Sequence, residues 1–140
     1  MHQITDAPIL AACLLSALVI ASPASAQPNV ERGQNSFVLN CAVCHGMDGR
    51  GNGPLADALK TAPADLTQLA GKNGGEFPSS KVSDVIRNGR AVLGHGSADM
   101  PAWGLYFGAK GKPEVARARI EDLVRYLESI QVNASPAPAR

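Results

Sequence analysis

Aromatic side chains are scarce, at 4% of residues with a single tryptophan, so a core built from side chains alone would be thin. Basic runs are missing too. The formal charge is +1, with Lys72, Lys81, Lys110 and Lys112 dispersed, which leaves nucleic-acid binding without support. No stretch alternates apolar and polar residues convincingly enough to predict a strand, and no internal repeat stands out. The elements that periodicity does predict are helices. Cysteine is limited to three residues, one of them in an N-terminal apolar run, too few for a disulfide framework. The length and a hydrophobic fraction of 45% suit one domain around one core.

Glycine and proline, by contrast, are plentiful at 14 and 10 residues, which predicts much loop and suits a chain wrapped around a cofactor. The chemistry concentrates in Cys41-Ala-Val-Cys44-His45. Two thiols three positions apart can form thioether links to the two vinyl groups of one haem. A histidine directly after the second thiol is set beneath the porphyrin as an iron ligand. A thioredoxin-like C-x-x-C needs a βαβ setting, and a zinc site needs a second ligand pair; neither accompanies this motif. A porphyrin would supply the flat apolar mass that the scarce aromatics do not. The motif occurs once, so one haem c is expected.

Residues 1–26 read as a signal peptide. An apolar run from Ile9 to Ala21 precedes Ala24-Ser25-Ala26, a small-residue cleavage pattern, and the run falls short of the ~20 residues of a membrane helix. The N-terminal region departs from the usual form, with no Lys or Arg before the run and with Asp6. Leu10-Ala11-Ala12-Cys13 also resembles a lipoprotein box, although the apolar run lies mostly after Cys13 rather than before it. Cleavage after Ala26 leaves a domain over 27–132, a flexible Pro/Ala tail over 133–140, a periplasmic location and no stable membrane span in the mature form.

Along the domain, Asn29 is a plausible cap for a helix placing Val30, Gly33, Phe37 and Cys41 at helical spacing. Gly33 either lets another helix come close or is merely tolerated. The glycine-rich stretch from Gly46 to Gly75 predicts loop, with at most a short helix near Leu55 to Lys60; Gly49-Arg50-Gly51-Asn52-Gly53 only superficially resembles a phosphate turn, since no strand precedes it. A backbone carbonyl around Gly53-Pro54 could orient the second ring nitrogen of His45, or Pro54 is an ordinary turn proline. Ser80 caps a predicted helix from Lys81 to Arg87. Arg90 to Lys112 is loop-rich and should hold the distal ligand, and Pro113 opens a helix with Ile120, Leu123, Val124, Leu127 and Ile130 in one stripe, Tyr126 at its edge.

For the sixth iron position Met47 stands too close to His45. Met100, held before Pro101, and His95, between two glycines, are the candidates, and Met100 is preferred. A His45/Met100 pair closes both axial positions and suits electron transfer; an open position would suit gas sensing or peroxidase-like chemistry.

With these residues in view, Val30 to Ile130 resembles a class I single-haem c-type cytochrome of bacteria. The resemblance runs through Gly33, Phe37, Cys41-Ala-Val-Cys44-His45-Gly46, Asp48 to Pro54, Pro63-Ala64-Asp65-Leu66-Thr67, Asp99-Met100-Pro101-Ala102-Trp103 and Leu123 to Leu127. It implies an all-α cytochrome c fold of three to five helices around one covalent haem, with the N- and C-terminal helices crossing where Gly33 and Phe37 meet Leu123, Tyr126 or Leu127. It implies His45/Met100 ligation, the Pro54 carbonyl on His45, and Trp103 against the haem or a propionate, core filling being the alternative. The expected activity is that of a monomeric single-electron carrier rather than an enzyme, serving dehydrogenase, oxidase or reductase partners. The alternatives are a haem subunit or dedicated acceptor of a larger oxidoreductase and, from other classes, an open-site haem protein or a thiol oxidoreductase.

Overall fold

A computed structural model of the chain describes residues 27–89, 100–108 and 111–132. The expected leader, the tail and His95 lie outside the described residues. Five α-helices follow one another: α1 (Val30–Asn40), α2 (Ala42–His45), α3 (Ser79–Asn88), α4 (Trp103–Phe107) and α5 (Pro113–Ser129). Single 3-10 turns occur at Ala56–Ala58, Leu66–Gln68 and Gly71–Asn73, and no strand is present among the described residues. The fold is all-α.

α1 begins where the sequence places it. Asn29 is extended and its side-chain oxygen accepts from the Arg32 N–H at 2.9 Å, satisfying one of the donors a helix start leaves free. Gly33 and Phe37 are the buried residues of α1, whereas Val30 stays exposed. α1 crosses α5 at Gly33. A Cβ there would sit on the Asp122 carbonyl oxygen and 2.8 Å from Tyr126 Cβ, so the glycine is a condition of the crossing rather than a tolerated residue. Phe37 then meets Tyr126 with ring centroids 5.2 Å apart at 48°. Tyr126, expected at the edge of the stripe, is buried by that contact, together with Ile120, Leu123, Val124 and Leu127. Among the described residues, Phe37, Ile120 and Leu123 are the large side chains fully out of water, each stabilising the fold by about 1.5–3 kcal/mol.

The crossing is also held by charge, through a residue that sequence reasoning passes over. Asp122 of α5 is buried; its Oδ1 accepts from the Asn29 N–H at 2.6 Å, and its Oδ2 from Arg32 Nε at 2.8 Å. Asp122→Ala leaves the Asn29 N–H unpaired at the helix start. We expect it to cost about 1–3 kcal/mol, read as a lower denaturant midpoint with an unchanged slope.

Two boundaries differ from the sequence expectation. α3 begins at Ser79 rather than Lys81, because the Val82 N–H bonds to the Pro78 carbonyl at 3.0 Å and brings Ser80 inside the first turn. The loop-rich reading of Arg90 to Lys112 omits α4. That helix is too short to form by itself and is stabilised by packing. Gly104 lies against α3, where a Cβ would meet the Arg87 carbonyl oxygen at 2.7 Å, and Phe107 is buried. Arg119 of α5 covers the Phe107 ring at 5.4 Å, a cation–π contact.

Candidate functional site

Cys41 closes α1, with its N–H bonded to the Phe37 carbonyl, and its own carbonyl accepts from Cys44 N at 3.1 Å and His45 N at 2.9 Å. One helical turn therefore carries both thiols and the imidazole, and the i, i+3, i+4 spacing stacks them on one face. A helix of four residues exposes nearly all its carbonyls, and the glycine-rich loop satisfies them. Gly46 N bonds to Ala42 O at 2.9 Å, Leu55 N to Val43 O at 2.9 Å, Gly53 N to Cys44 O at 3.0 Å and Gly51 N to His45 O at 2.7 Å. Close approach explains the residue type. A Cβ on Gly53 would lie 2.6 Å from the Val43 oxygen, and Gly51 has φ +85° and lies against the Pro63 carbonyl. The loop that resembles a phosphate turn in sequence is thus the device that fixes α2.

The second nitrogen of His45 meets a carbonyl, but not the one expected. Nδ1 lies 3.0 Å from the Ala64 oxygen. A carbonyl only accepts, so Nδ1 carries the proton and Nε2 keeps its lone pair for a metal. Burial lowers the pKa of His45, partly opposed by this bond, and the neutral ring is the ligating form. The Gly53 carbonyl instead accepts from Ala56 N at 2.9 Å, and Pro54 is exposed, in an open groove with Val38, Val43 and Met47. The reason is the course of the two loops: residues 53–55 are tied along α2 by the bonds to Val43 and Cys44, while the segment around Ala64 lies over Gly49 and Gly51.

Nothing in residue type marks Ala64, since a backbone acceptor has no side-chain signature. The nearest signal is Asp65-Leu66-Thr67, an Asx-type turn. Asp65 Oδ1 accepts from Thr67 N at 2.9 Å and from Thr67 Oγ1 at 2.6 Å. The Thr67 hydroxyl, chiefly, holds the Asp65 carboxyl below its ordinary pKa, with Arg50 and Lys72 adding to the effect. A depressed folded-state pKa contributes stability that is present above the unfolded value, about 3.9, and is lost as pH falls through the folded value. We therefore expect Thr67→Val to be less stable than wild type at neutral pH, with the pH-dependent part of the gap closing on acidification below about pH 4. Denaturant midpoints across pH measure it.

Of the other residues singled out in the sequence, Met100 is half-buried and its backbone carbonyl abuts Gly89, which ends α3 at φ +68°. Trp103 starts α4, half-buried, stacked on Phe107 at 5.4 Å and tilted against Tyr106 at 5.6 Å; its contacts here are those of a core residue. Met100 and Trp103 thus belong to the α3–α4 side, Cys44 and His45 to α2, and Cys41 to the junction of α1 and α2. The donor set suits haem: two thiols and an imidazole of fixed tautomer on one turn, with Cys41, Leu69, Phe77 and Trp103 partly exposed at the border of the core. Thiol redox chemistry is poorly served. Burial, with Cys44 beside it, pushes the Cys41 thiol up to about 12, whereas reactive C-x-x-C thiols are depressed.

Comparison with known proteins agrees with this geometry. Residues 30–131 match the family described as Cytochrome c. The chain is also similar to the Cbb3-type cytochrome c oxidase subunit FixP of Azorhizobium caulinodans, at 29% identity over 103 residues, or 74% of this chain and 28% of that protein. The chain thus spans little more than a quarter of that relative. No helix among the described residues is long and apolar enough to cross a membrane.

Proposed function

The chain belongs to the cytochrome c family, whose activity is haem-based electron transfer, and from that premise we propose a single-electron carrier with one covalent haem c, working in the periplasm after export and cleavage behind Ala26. Cys41 and Cys44 would hold the haem through thioether sulfurs, and His45 Nε2 and the Met100 sulfur would ligate its iron. When bound, the haem supplies a one-electron iron couple, whose potential a thioether ligand raises. The observation that carries the reading is the His45–Ala64 bond of 3.0 Å, which fixes the tautomer that ligates. The residues around the site keep the protein's own part rigid: the loop bonds to all four α2 carbonyls leave little room for reorganisation there.

A second reading, a haem subunit or dedicated acceptor of a larger oxidoreductase, is favoured by the similarity to a protein that is itself an oxidase subunit. It is supported by apolar side chains left in solvent beside α2: Val43, Met47 and Leu55 are all exposed, surface of the kind a partner covers. Optical spectra of the exported holo-protein, oxidised and reduced, with and without carbon monoxide, test the site. A low-spin spectrum indifferent to carbon monoxide supports electron transfer. Ready carbon monoxide binding moves an open-site haem protein to the front. Co-purification in a stable complex separates the subunit from the free carrier, which would bind partners weakly and salt-dependently.

A further inference from the structure

We propose that Gln131, just beyond α5, is a positioning residue for His45, acting through the segment 64–70 that presents the Ala64 carbonyl. The proposal rests on His45 being an iron ligand. His45 bonds to Ala64, and the chain that follows is tied down on both sides. On one side, Leu66 N donates to the Gly49 carbonyl at 2.7 Å. On the other, Gln131 Nε2 donates to the Leu66 carbonyl at 2.7 Å and to the Leu127 carbonyl at 2.7 Å. Its Oε1 accepts from the Ala70 N–H at 2.9 Å. Val132 N adds a bond to the Thr67 carbonyl at 2.9 Å.

One carboxamide thus spans the segment from Leu66 to Ala70 and clamps it to the end of α5. Ala70 is wholly buried, so its N–H would find no water in place of Gln131. Only an amide of this reach supplies two donors and an acceptor together. A leucine or methionine fills the space without any of the three bonds.

The consequence reaches the ring. The acceptor on the far nitrogen of a ligating histidine sets its orientation and raises its basicity, and a hydrogen bond weakens steeply when its geometry drifts. Freeing the Leu66 carbonyl and the Ala70 N–H leaves the segment held by the Leu66–Gly49 and Val132–Thr67 bonds, slack enough for the Ala64 carbonyl, two residues before Leu66, to move away from Nδ1. The imidazole then becomes a weaker donor, ferric iron loses more than ferrous, and the potential rises.

The test uses the holo-protein and neutral variants, so that no charge change enters the potential. Gln131→Met is compared with wild type and with Ile120→Val, a loss in the α5 core that leaves the clamp intact. Three quantities are read: denaturant midpoint, midpoint potential, and exchange of the His45 Nδ1–H with D2O by NMR. We expect Gln131→Met to raise the potential and to speed Nδ1–H exchange by about tenfold, while Ile120→Val lowers stability alone. Gln131→Asn, which keeps the amide but shortens its reach, is expected to move both readouts the same way and serves if the methionine variant does not assemble. A Gln131 variant that loses stability with potential and exchange at wild-type values overturns the proposal. A His45→Ala protein with an unaltered haem spectrum would overturn the ligand assignment beneath it, an outcome read separately from the Gln131 variants.

Discussion

Gly33→Ala is expected to lower the unfolding free energy of the holo-protein by about 2 kcal/mol, although alanine is the better helix former. In an exposed helix interior the change would gain ~1 kcal/mol. Here the new methyl falls on the Asp122 carbonyl oxygen, with the Asp122 carbonyl carbon at 2.7 Å and Tyr126 Cβ at 2.8 Å. None of these is the free end of a flexible side chain, so no rotamer change relieves the overlap. α1 must back away from α5. That movement loosens the Phe37–Tyr126 contact and the Asp122 bonds to Asn29 and Arg32 together, an overpacking cost of about 3 kcal/mol against which the propensity gain is small. Denaturant midpoints of Gly33→Ala and of Gln34→Ala, the neighbouring exposed position, separate the two effects. Gln34→Ala should be neutral or slightly stabilising; a Gly33→Ala midpoint equal to it would mean that the helices part without penalty.

The two faces that cross leave periodic traces in the sequence, Gly33 with Phe37 on one side and the Ile120 to Leu127 stripe on the other, but spacing leaves Gly33 open and only the resemblance to c-type cytochromes implies that the two faces meet. Asn29 and Pro113 marked helix starts by the same local logic, since capping chemistry requires particular residues at particular offsets. The haem motif was legible because thioether attachment needs two thiols and a histidine at one spacing. What escaped the sequence is carried by backbone atoms or by contacts distant along the chain. Ala64 matters through its carbonyl oxygen, which any residue would supply. The resemblance implies the Pro54 carbonyl as the partner of His45, yet Ala64 takes that contact and the Gly53 carbonyl beside Pro54 is engaged by Ala56. α4 exists through its contacts with α3 and α5 rather than through local preference. Asp122 reads as a polar position of an amphipathic helix until Asn29 and Arg32, some ninety residues earlier, come to meet it. Gln131 likewise shows its use only against Leu66 and Ala70.

The largest functional change is expected at Met100. In the holo-protein, Met100→Ala removes the sulfur that we assign to the sixth iron position and leaves Cys44 and His45 on a helix whose carbonyls are all satisfied, with Cys41 at its start. Covalent haem should therefore be retained. The backbone at Met100 is set by its packing against Gly89, which a side-chain truncation does not touch, so the effect should stay local. Three results are expected together. The weak long-wavelength ferric band of sulfur ligation disappears, the ferrous protein binds carbon monoxide, and the midpoint potential falls by on the order of 0.2 V, a fraction of the ~0.8 V range that axial ligands command. His95→Ala is the paired control, because imidazole is the other ligand the sequence offers in that stretch. If His95 were the ligand, Met100→Ala would leave spectrum and potential as they are and His95→Ala would open the site. The direction of the potential distinguishes the two as well: a neutral thioether favours ferrous iron, whereas an imidazole favours ferric, so a wild-type potential already low would count against Met100 before any substitution is made.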